Sequence, residues 1–436
     1  MTDSVNIREL VLELLLRITR DGEYSHIAIN AVLSKYQYLE KRERSFVTRE
    51  VEGTLEHMIE LDYIINQFSK TKVNKMKPVI RCLLRGSVYE LKYMDNVPAS
   101  ATCNEAVKLA RKKGFSNLTG FVNGVLRNIS RNLDQITYPD EKKDLAASLS
   151  VRYSMPEWMI KKWLKDYDKE TVMAMLAGFL QEAPLTIRTN LTKITPKDLA
   201  VRLQKEGLSV QQDEVLPYAF HITGGLDYLY SLPSFQEGLF YVQDLSSMQV
   251  AEIAAPKQGD QVIDVCAAPG GKSIHIAEKL NGTGHVQARD LTEYKVGLIR
   301  ENIARCRVEN MDAVCQDASV LTEEDIDRAD IVIADLPCSG LGVMRKKKDI
   351  RYKMTEEKQE ELVKIQRDIL AVVHQYVKPG GKLVYSTCTV NRAENEENVA
   401  WFLAQYPQFT CDYKKQILPD ETGCDGFFIA RMIREE

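Results

Sequence analysis

The chain has 436 residues, too many for one ordinary hydrophobic core, so two or three domains are expected. With 44% apolar and 28% charged residues it is a soluble globular protein by composition, which excludes the disordered and fibrous classes. A net charge of −4 does not by itself point to a polyanionic partner.

The opening "MTDSVNIREL" lacks a basic-then-apolar signal pattern, and no apolar run approaches the ~20 residues of a membrane span, so a cytoplasmic location is expected. The nine cysteines form no Cys-x-x-Cys pair and no Cys/His cluster at zinc spacing, so no metal site is expected. Disulfides do not suit a reducing compartment. Each cysteine is then either packing or a reagent.

Along the chain, Ile7, Leu10, Val11, Leu14, Leu15 and Ile18 fall on one helical face. The same spacing returns up to about residue 135, which predicts a bundle of roughly six helices. Lys108, Arg111, Lys112, Lys113, Arg127 and Arg131 run through its last part with no acid between them. The character changes near Tyr138-Pro139-Asp140. Helical segments continue to Pro184, then "LTIRTN" reads as a strand, "TPKDLAVRLQKEG" as a helix and "GLFYVQDL" as a strand. The chain therefore divides into a helical region at 1–138, a helical linker with a small α/β module at 139–245, and a third domain at 246–436.

That third domain alternates strands with helices: "QVIDVCA", "GHVQARD", "MDAVCQD", "IVIADLPC" and "KLVYSTC". Alternation of this kind predicts a mainly parallel, doubly wound sheet. Leu362, Ile365, Ile369, Val372 and Tyr376 mark a long helix before the fifth strand, with Pro379-Gly380-Gly381 as its stop. The tail "GCDGFFIARMIREE" predicts a last strand added at the sheet edge. Two basic runs, the one above and "RKKKDIRYK" at Arg345–Lys353, raise the case for a nucleic-acid substrate, and the second is expected to meet phosphates near the pocket. Arg188 and Asn190 either add to that groove or are surface strand residues.

The first strand runs into Cys266, Ala267, Ala268, Pro269, Gly270, Gly271 and Lys272. Two glycines at a first strand–helix turn let a ligand approach backbone amides at a helix start. The turn lacks both the G-x-G-x-x-G spacing and a Walker ending. Asp290 and Asp317 close the next two strands, where carboxylates can hold ribose hydroxyls and an adenine edge. A nucleoside without a pyrophosphate fits, and S-adenosylmethionine is such a ligand.

"VCAAPGGK", "ADLPCSG" and "YSTCTV", in that order, resemble the S-adenosylmethionine-dependent RNA cytosine-C5 methyltransferases. "VPASATCNEAVKLARKKG" and "GFVNGVLRNISR" resemble the NusB-type RNA-binding domain. Together they resemble the bacterial 16S ribosomal RNA branch of that family, the Sun/Fmu type. The resemblance implies a multidomain fold: an all-α NusB-like bundle, a small α/β linker module and an α/β Rossmann-like methyltransferase domain. It also implies a monomer with no obligatory protein partner and no membrane, acting on a looped or flipped-out cytosine of 16S ribosomal RNA.

Cytosine C5 is too weak a nucleophile to attack a sulfonium methyl directly, and a thiolate added at C6 activates it. By resemblance the nucleophile is Cys388, Cys338 aids β-elimination, and Asp335 bonds the cytosine edge beside the cofactor. The helix after Cys388 could favour its thiolate. Cys82, Cys306 and Cys411 read as packing, and so does Cys266 within the turn. The competing readings are a catalytically silent RNA-binding or assembly factor, a cytosine-C5 enzyme acting on another RNA, and a DNA cytosine methyltransferase. The Thr-Cys motif and the helical region disfavour the last.

Overall fold

The computed structural model describes residues 5–419 and 423–436. It separates into two compact units. One comprises 1–180 with Lys346–Lys353; the other comprises Gln181–Arg345 with Met354–Glu436.

Among its described residues the first unit's regular elements are all helices. Seven α-helices occupy Ile7–Thr19, Ser25–Lys35, Lys41–Glu56, Met58–Phe68, Pro78–Tyr93, Ala99–Lys112 and Thr119–Arg131. Local chemistry sets their ends. Asn6 caps the first helix by accepting from the Glu9 amide at 3.1 Å, and Pro78 starts the fifth where its missing N–H is harmless. Leu10, Val11, Leu14, Leu15 and Ile18 are buried in one apolar core with Val47, Val51, Ile64, Leu84 and Leu126. The helices Leu145–Tyr153, Glu157–Asp166 and Lys169–Leu180 belong to this unit, so the first compact unit takes in the helical linker and runs to 180.

The second unit holds two sheets. β1 (Leu185–Thr189), β2 (Ser209–Gln212), β3 (Ala219–Gly224) and β4 (Phe240–Val242) form an antiparallel sheet in the order β2-β3-β1-β4. The helix Pro196–Lys205 contributes Leu199 and Leu203 to its core. β5 (Gln261–Asp264), β6 (His285–Asp290), β7 (Met311–Cys315), β8 (Ala329–Asp335), β9 (Val377–Thr387), β10 (Phe409–Ile417) and β11 (Phe427–Arg434) form the larger sheet. Its order is β10-β11-β9-β8-β5-β6-β7. β5 to β9 pair in parallel, and β11 is antiparallel to both of its neighbours. The chain runs from β5 outward to β7, then returns to β8 on the other flank. The carboxyl ends of β5 and β8 therefore flank the topological switch point, where open α/β sheets bind ligands.

Three expectations change. The tail strand β11 lies inside the sheet, and the edge is β10, whose mixed "FTCDYKKQI" carries no clean alternation. Pro379-Gly380-Gly381 lies within β9, because the long helix ends at Val373 and a 3-10 turn at His374–Tyr376 leads straight into the strand. Ile365 is exposed although it falls on the apolar spacing. Among the described residues no helix is long and apolar enough to cross a membrane.

Candidate active site

β8 and β9 pair in parallel with Asp335 opposite Ser386, so the two strands end side by side. Leu336-Pro337-Cys338 leaves the first and Cys388 follows the second. Their sulfur atoms lie 3.3 Å apart, both on half-buried residues. The loop beyond Cys338 is tied to its partner through Gly342. The Gly342 amide donates to the Cys388 carbonyl at 3.0 Å, and the Gly342 carbonyl accepts from the Gly426 amide at 3.0 Å. A Cβ at Gly342 would lie 1.8 Å from the Gly426 carbonyl oxygen, so only glycine allows this approach.

Asp335, the last residue of β8, is a shared acceptor. Its Oδ2 accepts from Lys272 Nζ at 2.6 Å and its Oδ1 from Ser386 Oγ at 2.7 Å. Burial drives Lys272 toward losing its proton, but the charge of Asp335 and the hydrogen bond to it prevail, and the ammonium is held above the usual lysine range. Lys272 also lies within electrostatic reach of Cys388. At the end of β5, fully buried Asp264 accepts from Ser273 Oγ at 2.5 Å; burial pushes its pKa up to about 7, and the Ser273 bond only partly opposes this.

The turn after β5 is shaped by its own backbone. The Ala267 amide donates to the Arg289 carbonyl at 2.8 Å and the Gly270 amide to the Ala267 carbonyl at 2.7 Å. Gly270 has φ +104° and opens the helix Gly271–Lys279. A Cβ on Gly271 would press on the Tyr241 ring at 3.0 Å, and the Tyr241 hydroxyl donates to the Pro269 carbonyl at 3.1 Å. Asp290 accepts from the Ala268 amide at 3.0 Å and the Leu291 amide at 2.8 Å, and pairs with Lys295 at 2.9 Å. Asp317 is exposed, and Ser319 holds its carboxyl below the usual range through hydrogen bonds from its hydroxyl and its amide. A glycine turn flanked by strand-end carboxylates and a lysine suits a ribose, an adenine and an amino-acid tail. Cys266 is half-buried, and burial pushes its thiol well above the usual range, as befits a packing residue.

Several sequence expectations are corrected here. The helix beyond Cys388 begins only at Glu396, after a 3-10 turn at Arg392–Glu394, and its first turn carries Glu396 and Glu397. Since a helix dipole acts within the first turn, Lys272 is the better source of a field favouring the Cys388 thiolate. Arg188 is neither a groove nor a surface residue: it is 1% exposed, donates to Gln243 at 2.8 Å and pairs with Glu278. Asn190 is buried and donates to the Gly238 carbonyl at 3.1 Å. Most of "RKKKDIRYK" belongs to the helical unit and is consumed there. Lys348 pairs with Glu56, buried Arg351 donates to the Ser154 carbonyl at 3.3 Å, and Lys353 donates to the Glu23 carbonyl at 2.6 Å. The missing signal was pairing, which a charge count cannot reveal. In the earlier basic run, Lys112 and Lys113 pair with Glu9, while Lys108 and Arg127 line an open groove with Asn104, Thr119 and Asn123.

The family pattern described as "16S rRNA methyltransferase RsmB/F" matches residues 251–433, that of the NusB family 5–131, and a ferredoxin-like RsmF/B module 155–228. A "Probable ribosomal RNA small subunit methyltransferase B" of Bacillus subtilis is 35% identical over 445 residues, spanning 98% of each chain. The chain belongs to the RsmB/F family. The three matches fall on the NusB-type bundle, on a stretch that includes β1 to β3 of the small sheet, and on the S-adenosylmethionine-dependent methyltransferase sheet β5–β11. "Ribosomal RNA small subunit methyltransferase B" of Proteus mirabilis is 30% identical over 435 residues, spanning 99% of each chain. A solved structure named as a methyltransferase homolog from Pyrococcus horikoshii is 26% identical at TM-score 0.59, covering 67% of this chain and 99% of its own. A further crystal structure shares the fold along 99% of each chain at TM-score 0.83.

In this RsmB/F chain the site also contains residues that motif reading passed over. Glu394, Asn391, Asn395, Asn398, Gln366 and Tyr385 are buried polar groups behind the cysteines. Four of them fall in "NRAENEEN", an amide-rich acidic cluster directly after the Thr-Cys motif, while Tyr385 opens "YSTCTV" and Gln366 lies on the helix Glu356–Val373.

Proposed function

We propose that this chain methylates C5 of a cytosine in 16S ribosomal RNA, with Cys388 as the covalent nucleophile and Cys338 as the group that aids its release. The observation that carries this reading is the pair of strand-end thiols, 3.3 Å apart, beside the Asp335–Lys272 pair and the glycine turn. Bound at the turn, S-adenosylmethionine supplies the methyl group that becomes bonded to C5. Asp290 would hold its ribose and Asp317 its adenine, with the amides of the 266–272 turn around the tail.

The chain's own groups account for the rest. The Cys388 thiolate forms a bond to C6, and the C5–C6 π electrons move onto C5 and toward the N3 edge. Asp335 accepts from the exocyclic amine and fixes the ring, while the Lys272 ammonium that it holds balances the negative charge that develops there. After methylation a base removes the C5 proton, the C–H electrons restore the C5–C6 double bond, and the C6–S bond breaks toward sulfur. The Cys338 thiol donates a hydrogen bond to that departing sulfur. A protein or small-molecule methyltransferase has no use for paired strand-end cysteines, and a silent assembly factor has none for the Lys272–Asp335 pair. Bisulfite sequencing of ribosomal RNA from a strain lacking this chain tests the function. One 16S cytosine should lose protection and regain it with the wild-type gene; an unchanged protection map refutes the reading.

A further inference from the structure

Glu394 has no part in the mechanism above, yet it is fully buried directly behind both cysteine loops. Its Oε2 accepts from the Ser339 amide at 2.8 Å and from Gln366 Nε2 at 3.1 Å. Its Oε1 accepts from Ser339 Oγ at 2.5 Å and from Asn391 Nδ2 at 2.8 Å. The backbone and amide N–H groups in this set can only donate, so both carboxyl oxygens are engaged as acceptors. Ser339 is the residue after Cys338, and Asn391 lies in the loop that Cys388 opens. Gln366 also donates to the Pro337 carbonyl at 2.8 Å, and Ser339 Oγ meets Thr389 Oγ1 at 2.7 Å. One carboxylate therefore joins the Pro-Cys loop, the Thr-Cys loop and the helix Glu356–Val373. Such a bond set is expensive to bury unless its geometry serves something.

We propose that Glu394 is the positioning residue of the two-cysteine site, setting the sulfur separation and placing the shared proton on Cys338, so that Cys388 is the thiolate. The inference rests on the nucleophile assignment above. A negative charge beside Ser339 disfavours a second negative charge on Cys338, whereas Lys272 favours one on Cys388. The Cys338 thiol is held well above the usual range, first by its hydrogen bond to Cys388, then by burial, by the Cys388 charge and by Glu394. The other titratable groups facing the pair do not reverse this bias. Asp335 is engaged by Lys272 and Ser386, Tyr385 on β9 donates to the Glu394 carbonyl, and Asp264 is bonded to Ser273. A neutral Cys338 is then the hydrogen-bond donor that the departing Cys388 sulfur requires.

The test uses full-length wild-type protein, Glu394→Gln and Glu394→Asp, alkylated with iodoacetamide across pH, with each modified cysteine identified by peptide mass spectrometry. Wild type should be labelled first at Cys388. In Glu394→Gln the Cys338 labelling midpoint should fall by about one unit, a roughly tenfold gain of Cys338 thiolate at a given lower pH, and the Cys388 share of the label should shrink. Its kcat should fall about 10–100-fold while KM for RNA changes little. Glu394→Asp keeps the charge, so its partition should follow wild type even where its shorter reach lowers kcat or the melting temperature. An unchanged partition and midpoint in folded Glu394→Gln would overturn the proposal. So would a Glu394→Asp pattern matching Glu394→Gln. Alkylation reports on Glu394 without RNA, so a failed nucleophile assignment, read from RNA adducts of the cysteine variants, is a separate result.

Discussion

The thiol pocket and the segment Lys346–Lys353 both gather polar groups beyond the end of β8, and they use them in opposite ways. In the segment, Lys348, Arg351 and Lys353 each meet an acceptor within the helical unit, leaving these three committed to packing. In the pocket the bonds form two pairs, Asp335 with Lys272 and Cys338 with Cys388, and all four residues are only partly buried, so under the proposed function each bond is one that substrate would replace. A charged group becomes structural when its partner is built in, and chemical when its partner can be exchanged.

The comparison breaks first, and most heavily, at Asp335. Replacing it with Asn should lower kcat/KM about 10²–10³-fold, because the carboxylate that orients the exocyclic amine and anchors the Lys272 ammonium at the developing negative charge is lost. Steady-state kinetics read this directly, and a change below threefold would make Asp335 structural. Lys348→Ala should do the reverse. It should reduce stability by about 1.5–3 kcal/mol through the lost charged hydrogen bond to Glu56, while the salt slope of RNA binding stays constant. Arg127→Ala, in the groove of the helical unit, should instead reduce that slope by about one. Filter binding across salt, beside thermal melting, separates the two. A slope lost in Lys348→Ala would return the segment to the RNA surface.

Asp264 gives a smaller effect with a definite sign. Its folded pKa of about 7 exceeds the unfolded value, so the folded state binds the extra proton and stability falls as pH rises from about 4 to about 7. Asp264→Asn should flatten that part of the melting profile, and a slope equal to wild type would show that Asp264 is not the group responsible.

The parallel sheet was legible because each of its strands ends at a turn or a chemical residue, so "IVIADLPC" and "KLVYSTC" mark both strand and site. β2, β3 and β10 were not. β2 and β10 are short or half-solvated, and their sequences show mixed polarity rather than alternation. Cys338, Cys388 and the glycine turn were visible as motifs, because chemistry demands particular residue types at strand ends. Glu394 and Gln366 were not, since they act through hydrogen bonds to residues distant in sequence. Arg188 and the basic segment misled for the same reason: burial and pairing are tertiary facts.

The central claim is the division of labour between the two cysteines, and one gel tests it most directly. Full-length wild type, Cys388→Ala and Cys338→Ala are incubated with cofactor and labelled 16S RNA, either unmodified or carrying 5-fluorocytosine, then resolved under denaturing conditions. Wild type should be trapped only on the fluorinated RNA, where C5 has no proton to lose. Cys388→Ala should form no adduct with either RNA, and Cys338→Ala should accumulate one with unmodified RNA because it attacks but releases slowly. An adduct that persists in Cys388→Ala and vanishes in Cys338→Ala would contradict the account and make Cys338 the nucleophile.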